Sequence, residues 1–345
     1  MMNLNDAFDT YVPWIEAEMA AVLAAPDPAF ARHYAMMQYH LGWLDQALQP
    51  ANEPSGKRIR PVICLLACAA CGGDPHQALP AAAALELLHN FSLLHDDIED
   101  NSATRRHRPA AWALFGLAQA INAGDAMFSL AYKALLRLSD RGLPADRVLR
   151  VVRVVDDMCV ALTEGQFLDM SFESQPEVSI ADYDRMIAGK TAAMLMAAAE
   201  TGALVAGASA EIVSALRRYA EGLGLAFQLQ DDVLGIWGAE EVTGKPVAGD
   251  ILSKKKSLPV LHALQDASVG PALRRLYSGP AFTVGDVPAV LGLLDAAGAR
   301  AFTEARVREA TAAAHAALEN AGAGLPPASQ RPLHELLDLL LVREA

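Results

Sequence analysis

The stretch His89-Asn-Phe-Ser-Leu-Leu-His-Asp-Asp-Ile-Glu-Asp-Asn-Ser-Ala-Thr-Arg-Arg106 decides how the rest of the chain is read. On a helix, Asp96 and Asp100 stand at i and i+4, so their carboxylates share one face. No Lys or Arg lies between them to relieve the repulsion. They follow directly on the apolar run Phe91–Leu94, which places an acidic face at the mouth of an apolar cavity. Divalent cations would reconcile such neighbours, because Mg²⁺ takes one or two carboxylates together with substrate phosphates and water.

Outward from this stretch the sequence is helical. Ala, Leu and Met abound, aromatic residues are 6% and alternating Val/Ile segments are nearly absent. Apolar-periodic segments fall at about 11–23, 30–48, 58–72, 78–101, 109–138, 145–171, 180–207, 210–237, 257–265, 287–320 and 329–343. Turn-rich breaks such as 49–56, 71–75 and 141–144 separate them. Several segments are apolar around most of their circumference, the mark of buried central helices. The expectation is a packed all-α bundle with buried central helices, formed as one domain over residues 1–345.

The 345 residues are 53% hydrophobic and 20% charged, with a net charge of −13. Disorder is disfavoured by the apolar content, and a nucleic-acid surface by the acidity. An acidic protein that handles anions must gather its positive charge locally. Two clusters do so: Gly56-Lys-Arg-Ile-Arg-Pro61 and Arg105-Arg106. Arginine offers bidentate donors to phosphate oxygens.

Cys64, Cys68 and Cys71 share a helix face in an apolar run, and Cys159 stands apart. They read as small buried hydrophobes rather than a metal site or a disulfide framework, as in a reducing cytoplasm. No secretory signal and no membrane span is expected from the acidic start and the interrupted apolar runs.

A second acidic motif, Phe227-Gln-Leu-Gln-Asp-Asp-Val-Leu-Gly-Ile-Trp-Gly238, precedes Thr243-Gly-Lys-Pro and the run Lys254-Lys-Lys256. Gly165-Gln-Phe-Leu-Asp169 and Gly189-Lys-Thr191 lie between the two acidic motifs. The latter lacks the Gly-rich stretch of a phosphate-binding loop. Its Lys190 is a cation inside an apolar helix and wants an anion.

Together GKRIRP, HDDIEDNSATRR, GQFLDM, GKT and FQLQDD with the following GKP and a D…K stretch beyond it, in this order over about residues 53–260, resemble the trans-isoprenyl diphosphate synthases. The resemblance implies an all-α homodimeric prenyltransferase, its helical bundle built around a deep central cavity, that condenses isopentenyl diphosphate with C5–C15 allylic diphosphates. It implies Asp96, Asp100 and, from a facing helix, Asp231 as ligands of Mg²⁺, three ions with diphosphate bound. Arg105, Lys190, Thr191, Gln228 and Lys245 would hold the allylic diphosphate. Lys57, Arg60, His89 and Arg106 would hold isopentenyl diphosphate, with Gln166 and Asp169 in support. The catalytic set is then Asp96, Asp100, Lys190, Asp231 and Lys245.

Departures from the family pattern are Gly235 where a third Asp is common, His107 after the Arg pair, and Met194 after the Lys–Thr pair. Leu88, Phe91 and Ser92, one to two turns before Asp96, are expected to line the growing chain and gate its length. Phe91 beside a small Ser92 points to a C20 product, geranylgeranyl diphosphate, with the C15 farnesyl product as the alternative. A terpene cyclase or a non-catalytic partner subunit is less compatible. The first would not need the basic second site, and the second would not keep the carboxylates.

Overall fold

The computed structural model describes residues 3–238, 248–321 and 324–341. It is all-α apart from one two-residue hairpin. The helices are α1 Leu4–Val22, α2 Ala31–His40, α3 Ile59–Ala70, α4 Pro75–Glu99, α5 Ala111–Phe115 and α6 Leu117–Leu136. They continue as α7 Ala145–Ser174, α8 Ile180–Ile187, α9 Ala193–Ala206 and α10 Ala210–Trp237. After these come α11 Gly249–Leu252, α12 Leu258–Gln265, α13 Gly270–Tyr277, α14 Val287–Ala296, α15 Ala299–Glu319 and α16 Pro327–Leu341. The contacts divide the chain into two compact units.

The first unit runs through Asp156 and includes Ala197–Val213 and Leu325–Pro332. Its centre is α4, whose Ala81–Leu85 are wholly buried against α1, α3 and α6. Alanines on that scale let helices approach closely without voids. Gly202 in α9 is a further close approach, since a Cβ there would stand 2.1 Å from the Cys64 carbonyl oxygen. Cys64 and Cys68 are buried free thiols and Cys71 is half-buried, while Cys159, also buried and free, belongs to the second unit. Burial pushes Cys68 up to about 12 and Cys71 to about 11, so both remain protonated.

The second unit comprises Asp157–Met196, Ser214–Gly324 and the segment from Leu333 onward. One core cluster joins Phe172, Tyr183, Ile187, Leu229, Leu258 and Val307. Another joins Ile236, Ile251, Val260, Leu273 and Leu294.

The helices Gly249–Leu252 and Gly270–Tyr277 lie outside the expected segments, and four of those segments are ended or divided by a left-handed residue or a change of helix type. The 109–138 segment splits into α5 and α6 at Gly116, with φ of 88°, and the 287–320 segment at Gly298, with φ of 65°. The 30–48 segment stops at His40, before Gly42 at φ 85°. The 180–207 segment is interrupted by a π-helical turn at Ala188–Ala192. Among the described residues no helix is long and apolar enough to cross a membrane.

Candidate active site

In the first unit α4 ends at the acidic motif. Asp100 is its C-cap, and Asn101 follows in the left-handed region at φ 50°. Ser102 N–H donates to Asp97 O at 2.8 Å and Asn101 N–H to Ile98 O at 3.2 Å, the paired closure of a Schellman ending. The expected i, i+4 face survives, with Asp96 half-buried and Asp100 exposed. The middle carboxylate behaves differently. Asp97 is 1% exposed and accepts a 2.8 Å hydrogen bond from Nε of Arg105. Burial pushes its carboxyl up, and the Arg105 guanidinium pulls it back down. Asp97 therefore anchors the basic hairpin, and Arg105, expected at the allylic diphosphate, is fastened to α4 through it.

That hairpin pairs Thr104–Arg105 with Arg108–Pro109. Its two turn residues, Arg106 and His107, have φ of 51° and 63°. Two left-handed residues in succession make a type I′ turn, usually built with Asn and Gly. The strain in non-glycine residues is of the kind found at ligand clamps. Gly56 gives the Arg106 guanidinium room, since a Cβ there would lie 3.1 Å from Nη2.

The other basic cluster is set by Arg58, at φ 53° before α3. Its buried guanidinium donates to Glu16 at 2.6 Å and Glu86 at 2.8 Å, while Asn90 donates to Glu86 at 2.9 Å. With Arg58 pulled inward, Lys57 is left exposed. Half-buried Arg60 donates from Nη1 to His89 Nε2 at 3.2 Å. Burial, then Arg60 and Arg106, hold the His89 imidazole well below its usual value. It is a neutral acceptor for Arg60. Buried nitrogens of Arg60 (Nε) and Arg106 (Nη1) lack any hydrogen-bond partner, so both can still donate to an anion.

The three residues named for chain length separate around α4. Leu88 is fully buried and Ser92 is half-buried on the Asp96 side, its hydroxyl donating to His89 O at 2.8 Å. Phe91, five residues before Asp96, turns to α6 and packs edge-on against Phe128 at 5.1 Å and His95 at 4.9 Å.

In the second unit, Lys190 lies on the π turn, where the helix widens and re-aims its side chain. The turn rests on α7 at glycine. A Cβ on Gly165 would stand 2.2 Å from Lys190 N, and one on Gly189 would stand 2.5 Å from Ala161 O. This close approach brings Lys190 Nζ to Asp169 at 2.5 Å. Lys190 thus already has an anion of its own chain. Thr191 donates to Gln228 at 2.7 Å, and Gln228 donates to Asp232 at 3.1 Å. Asp232 is 1% exposed and accepts also from Tyr183 O–H at 2.6 Å and Leu258 N–H at 2.9 Å. Asp231, its neighbour, is half-buried. Each acidic motif therefore has one inward, structural aspartate.

Lys245 lies outside the described residues. Lys255 is one of three consecutive lysines, and the sequence does not say which of them meets an anion. Its neighbours explain its role. Lys254 Nζ donates to the carbonyls of Leu276, Tyr277 and Gly279, ending α13, and Lys256 Nζ to those of Phe172 and Gln175, ending α7. Lys255 remains, half-buried. Burial alone would lower its pKa, but Asp232, Asp250, Asp169 and Asp231 together raise it, so it is a fixed cation. Only the long-range carbonyl partners distinguish these three lysines.

The donor chemistry suits a hard divalent ion. Asp96 and Asp100 in the first unit, and Asp231 in the second, each offer carboxylate oxygen, the ligand type Mg²⁺ takes. Among the described residues no group of three or more His, Cys, Asp or Glu could hold an ion by itself.

The polyprenyl synthetase family model matches residues 41–294. The chain belongs to the polyprenyl synthetase family. It is 44% identical over 280 residues to the (2E,6E)-farnesyl diphosphate synthase of Mycobacterium tuberculosis, covering 79% of this chain and 76% of that one. It is also 44% identical over 288 residues to the geranylgeranyl diphosphate synthase of the same species, covering 83% and 81%. A polyprenyl synthetase from Streptomyces coelicolor superposes with a TM-score of 0.90 at 32% identity, over 99% and 100% of the two chains. A geranylgeranyl pyrophosphate synthase from Corynebacterium glutamicum, complexed with isoprenyl diphosphate and magnesium, gives 0.81 at 26% over 99% and 100%. This polyprenyl synthetase is a prenyltransferase of the short-chain prenyl diphosphate synthase class.

Proposed function

We propose that the protein condenses isopentenyl diphosphate with allylic diphosphates, with Mg²⁺, and stops at C20, geranylgeranyl diphosphate. The observation that carries the condensation is the basic cluster of Arg60, His89 and Arg106, in which Arg60 Nε and Arg106 Nη1 are buried and unpartnered, a group separate from the acidic face of Asp96 and Asp100. A second diphosphate site is what condensation needs and cyclisation does not.

Asp96, Asp100 and Asp231 are the proposed metal ligands, and the bound metal supplies charge stabilisation for the departing pyrophosphate. Arg105, Lys190, Thr191, Gln228 and Lys245 are the proposed contacts of the allylic diphosphate. To them we add Lys255, whose positive charge is fixed by four aspartates. The allylic carbon–oxygen bond breaks with its electron pair leaving on pyrophosphate. Fixed cations aimed at that developing charge are worth several kcal/mol each in a dry site. The double bond of isopentenyl diphosphate, oriented by Lys57, Arg60, His89 and Arg106, attacks the allylic cation. The new carbon–carbon bond leaves a cation that loses a proton to the departed pyrophosphate.

C20 is supported by the gate. One helical turn rises about 5.4 Å, roughly one isoprene unit. Ser92 leaves space one turn below Asp96, fully buried Leu88 lies the next turn down, and Phe91 stands with Phe128 as an aromatic wall. A homodimer is the proposed assembly, supported by Leu117, Ile121 and Leu136, large apolar side chains exposed along α6. Labelled isopentenyl diphosphate with C5, C10 and C15 primers, read by mass spectrometry, tests the function. C20 is expected from all three. Accumulation of C15 with an idle C15 primer refutes the length, and absence of condensation refutes the activity.

A further inference from the structure

His40 ends α2, and its side chain belongs to none of the roles above. It is 8% exposed, and its Nε2 is buried with no hydrogen-bond partner. A buried polar nitrogen left so costs about 1–3 kcal/mol, so its retention wants a reason. The reason is in what it faces. His40 lines a cleft with Pro54, Arg105, Arg106 and Arg108. Arg106, whose Nη1 is likewise buried and unpartnered, is the cation that bears most strongly on it. His89 in turn feels His40 among its neighbours.

Arg108 fixes the frame of this cleft. Its guanidinium lies 4.2 Å over the Tyr39 ring and donates to Tyr39 O at 3.3 Å and Leu44 O at 2.6 Å. The Tyr39 hydroxyl donates back to Pro109 O at 2.7 Å. The end of α2 is thus tied to the strained hairpin that carries Arg106. Burial and the surrounding arginines keep His40 neutral. A neutral imidazole with its proton on Nε2 adds a donor without adding a further charge to a crowded basic pocket.

We propose that His40 is a binding residue for isopentenyl diphosphate, donating from Nε2 to a phosphate oxygen beside Arg106 and His89. This rests on the reading that Arg60, His89 and Arg106 hold that diphosphate.

Steady-state kinetics of His40→Leu and His40→Gln, with Arg60→Gln as a control on the pocket, provide the test. His40→Leu should raise KM for isopentenyl diphosphate about tenfold, as loss of one hydrogen bond to a charged group does. KM for the allylic diphosphate and kcat should stay within about twofold of wild type, and His40→Gln, which keeps an N–H, should recover most of the loss. If Arg60→Gln raises that KM and His40→Leu does not, His40 is not a ligand and the proposal is overturned with the pocket intact. If neither raises it, the pocket reading falls and the proposal with it. Should the Leu variant not fold, ¹⁵N-histidine-labelled wild-type enzyme gives the answer. The His40 Nε2 resonance, identified by its loss in His40→Gln, should shift on adding isopentenyl diphosphate, and an unmoved resonance at saturation overturns the proposal.

Discussion

Gly235 faces Asp250 so closely that a Cβ on it would stand 2.6 Å from the Asp250 carboxyl carbon. The glycine that interrupts the second acidic motif is thus the space that Asp250 fills. The carboxylate count of this surface is kept by a residue from α11. Gly235→Asp, which would complete the usual motif on paper, should lower turnover at least tenfold and lower Tm, because it drives one carboxylate into another. Turnover measured at saturating Mg²⁺ checks it, and an improved enzyme would refute the spatial argument.

Substitution within each aspartate pair should give two different phenotypes. Asp231→Asn should leave Tm within about 2 °C and cut turnover by 10² or more, as loss of a charged transition-state contact does. Asp232→Ala strands the Tyr183 hydroxyl, the Leu258 N–H and the Gln228 amide, each worth about 1–3 kcal/mol when buried and unpaired. Its Tm should drop by several degrees, read by differential scanning calorimetry. Asp96→Ala and Asp97→Ala should divide the same way.

Gly165→Ala places a methyl 2.2 Å from the Lys190 backbone nitrogen. Backbone cannot yield as a side chain does, so the π turn must move and carry Lys190 from Asp169. We expect KM for the allylic substrate to rise and kcat to fall, with KM for isopentenyl diphosphate nearly unchanged. Product-formation assays varying each substrate in turn check this.

Lys255→Met removes a cation among four aspartates, whereas Lys254→Met removes a helix-end cap. The first should cost activity by about 10²-fold with little change in folding, and the second stability by about 1–2 kcal/mol with activity kept. Urea unfolding and turnover on both variants separate the roles.

His40 and His89 are held neutral, well below the ordinary 6.5. The unfolded chain therefore binds their protons first as pH falls. Their contribution to stability is complete above 6.5 and is lost as pH drops toward their folded-state values. Tm should fall between about pH 7.5 and 5.5, and the slope should flatten in His89→Gln. Thermal melts across that range test it.

The all-α class and the Asp96–Asp100 face were legible because they depend on spacing along one helix. Arg60 beside His89 and Gln228 beside Thr191 were recoverable only as parts of a recognisable pattern, since their separations of 29 and 37 residues leave no periodic trace. The π turn under Lys190 was not legible. It comes from a backbone contact between Gly165 and Gly189, and neither glycine announces its partner. His107 looked like a departure, and the structure shows it adopting the left-handed backbone that a glycine would supply.

By itself the sequence determined the all-α class, the two acidic motifs and the basic clusters, because propensity and hydrophobic period are local properties of the chain. Tertiary structure decided which member of each pair does what. Asp96 and Asp97 are adjacent and chemically identical, as are Asp231 and Asp232. Only burial against Arg105 in one case, and against Tyr183 and Leu258 in the other, turns the second of each into a structural anchor. The same long-range carbonyl and carboxylate partners select Lys255 from three consecutive lysines. Burial and partnership depend on which distant residues arrive in space, so no spacing rule carries them.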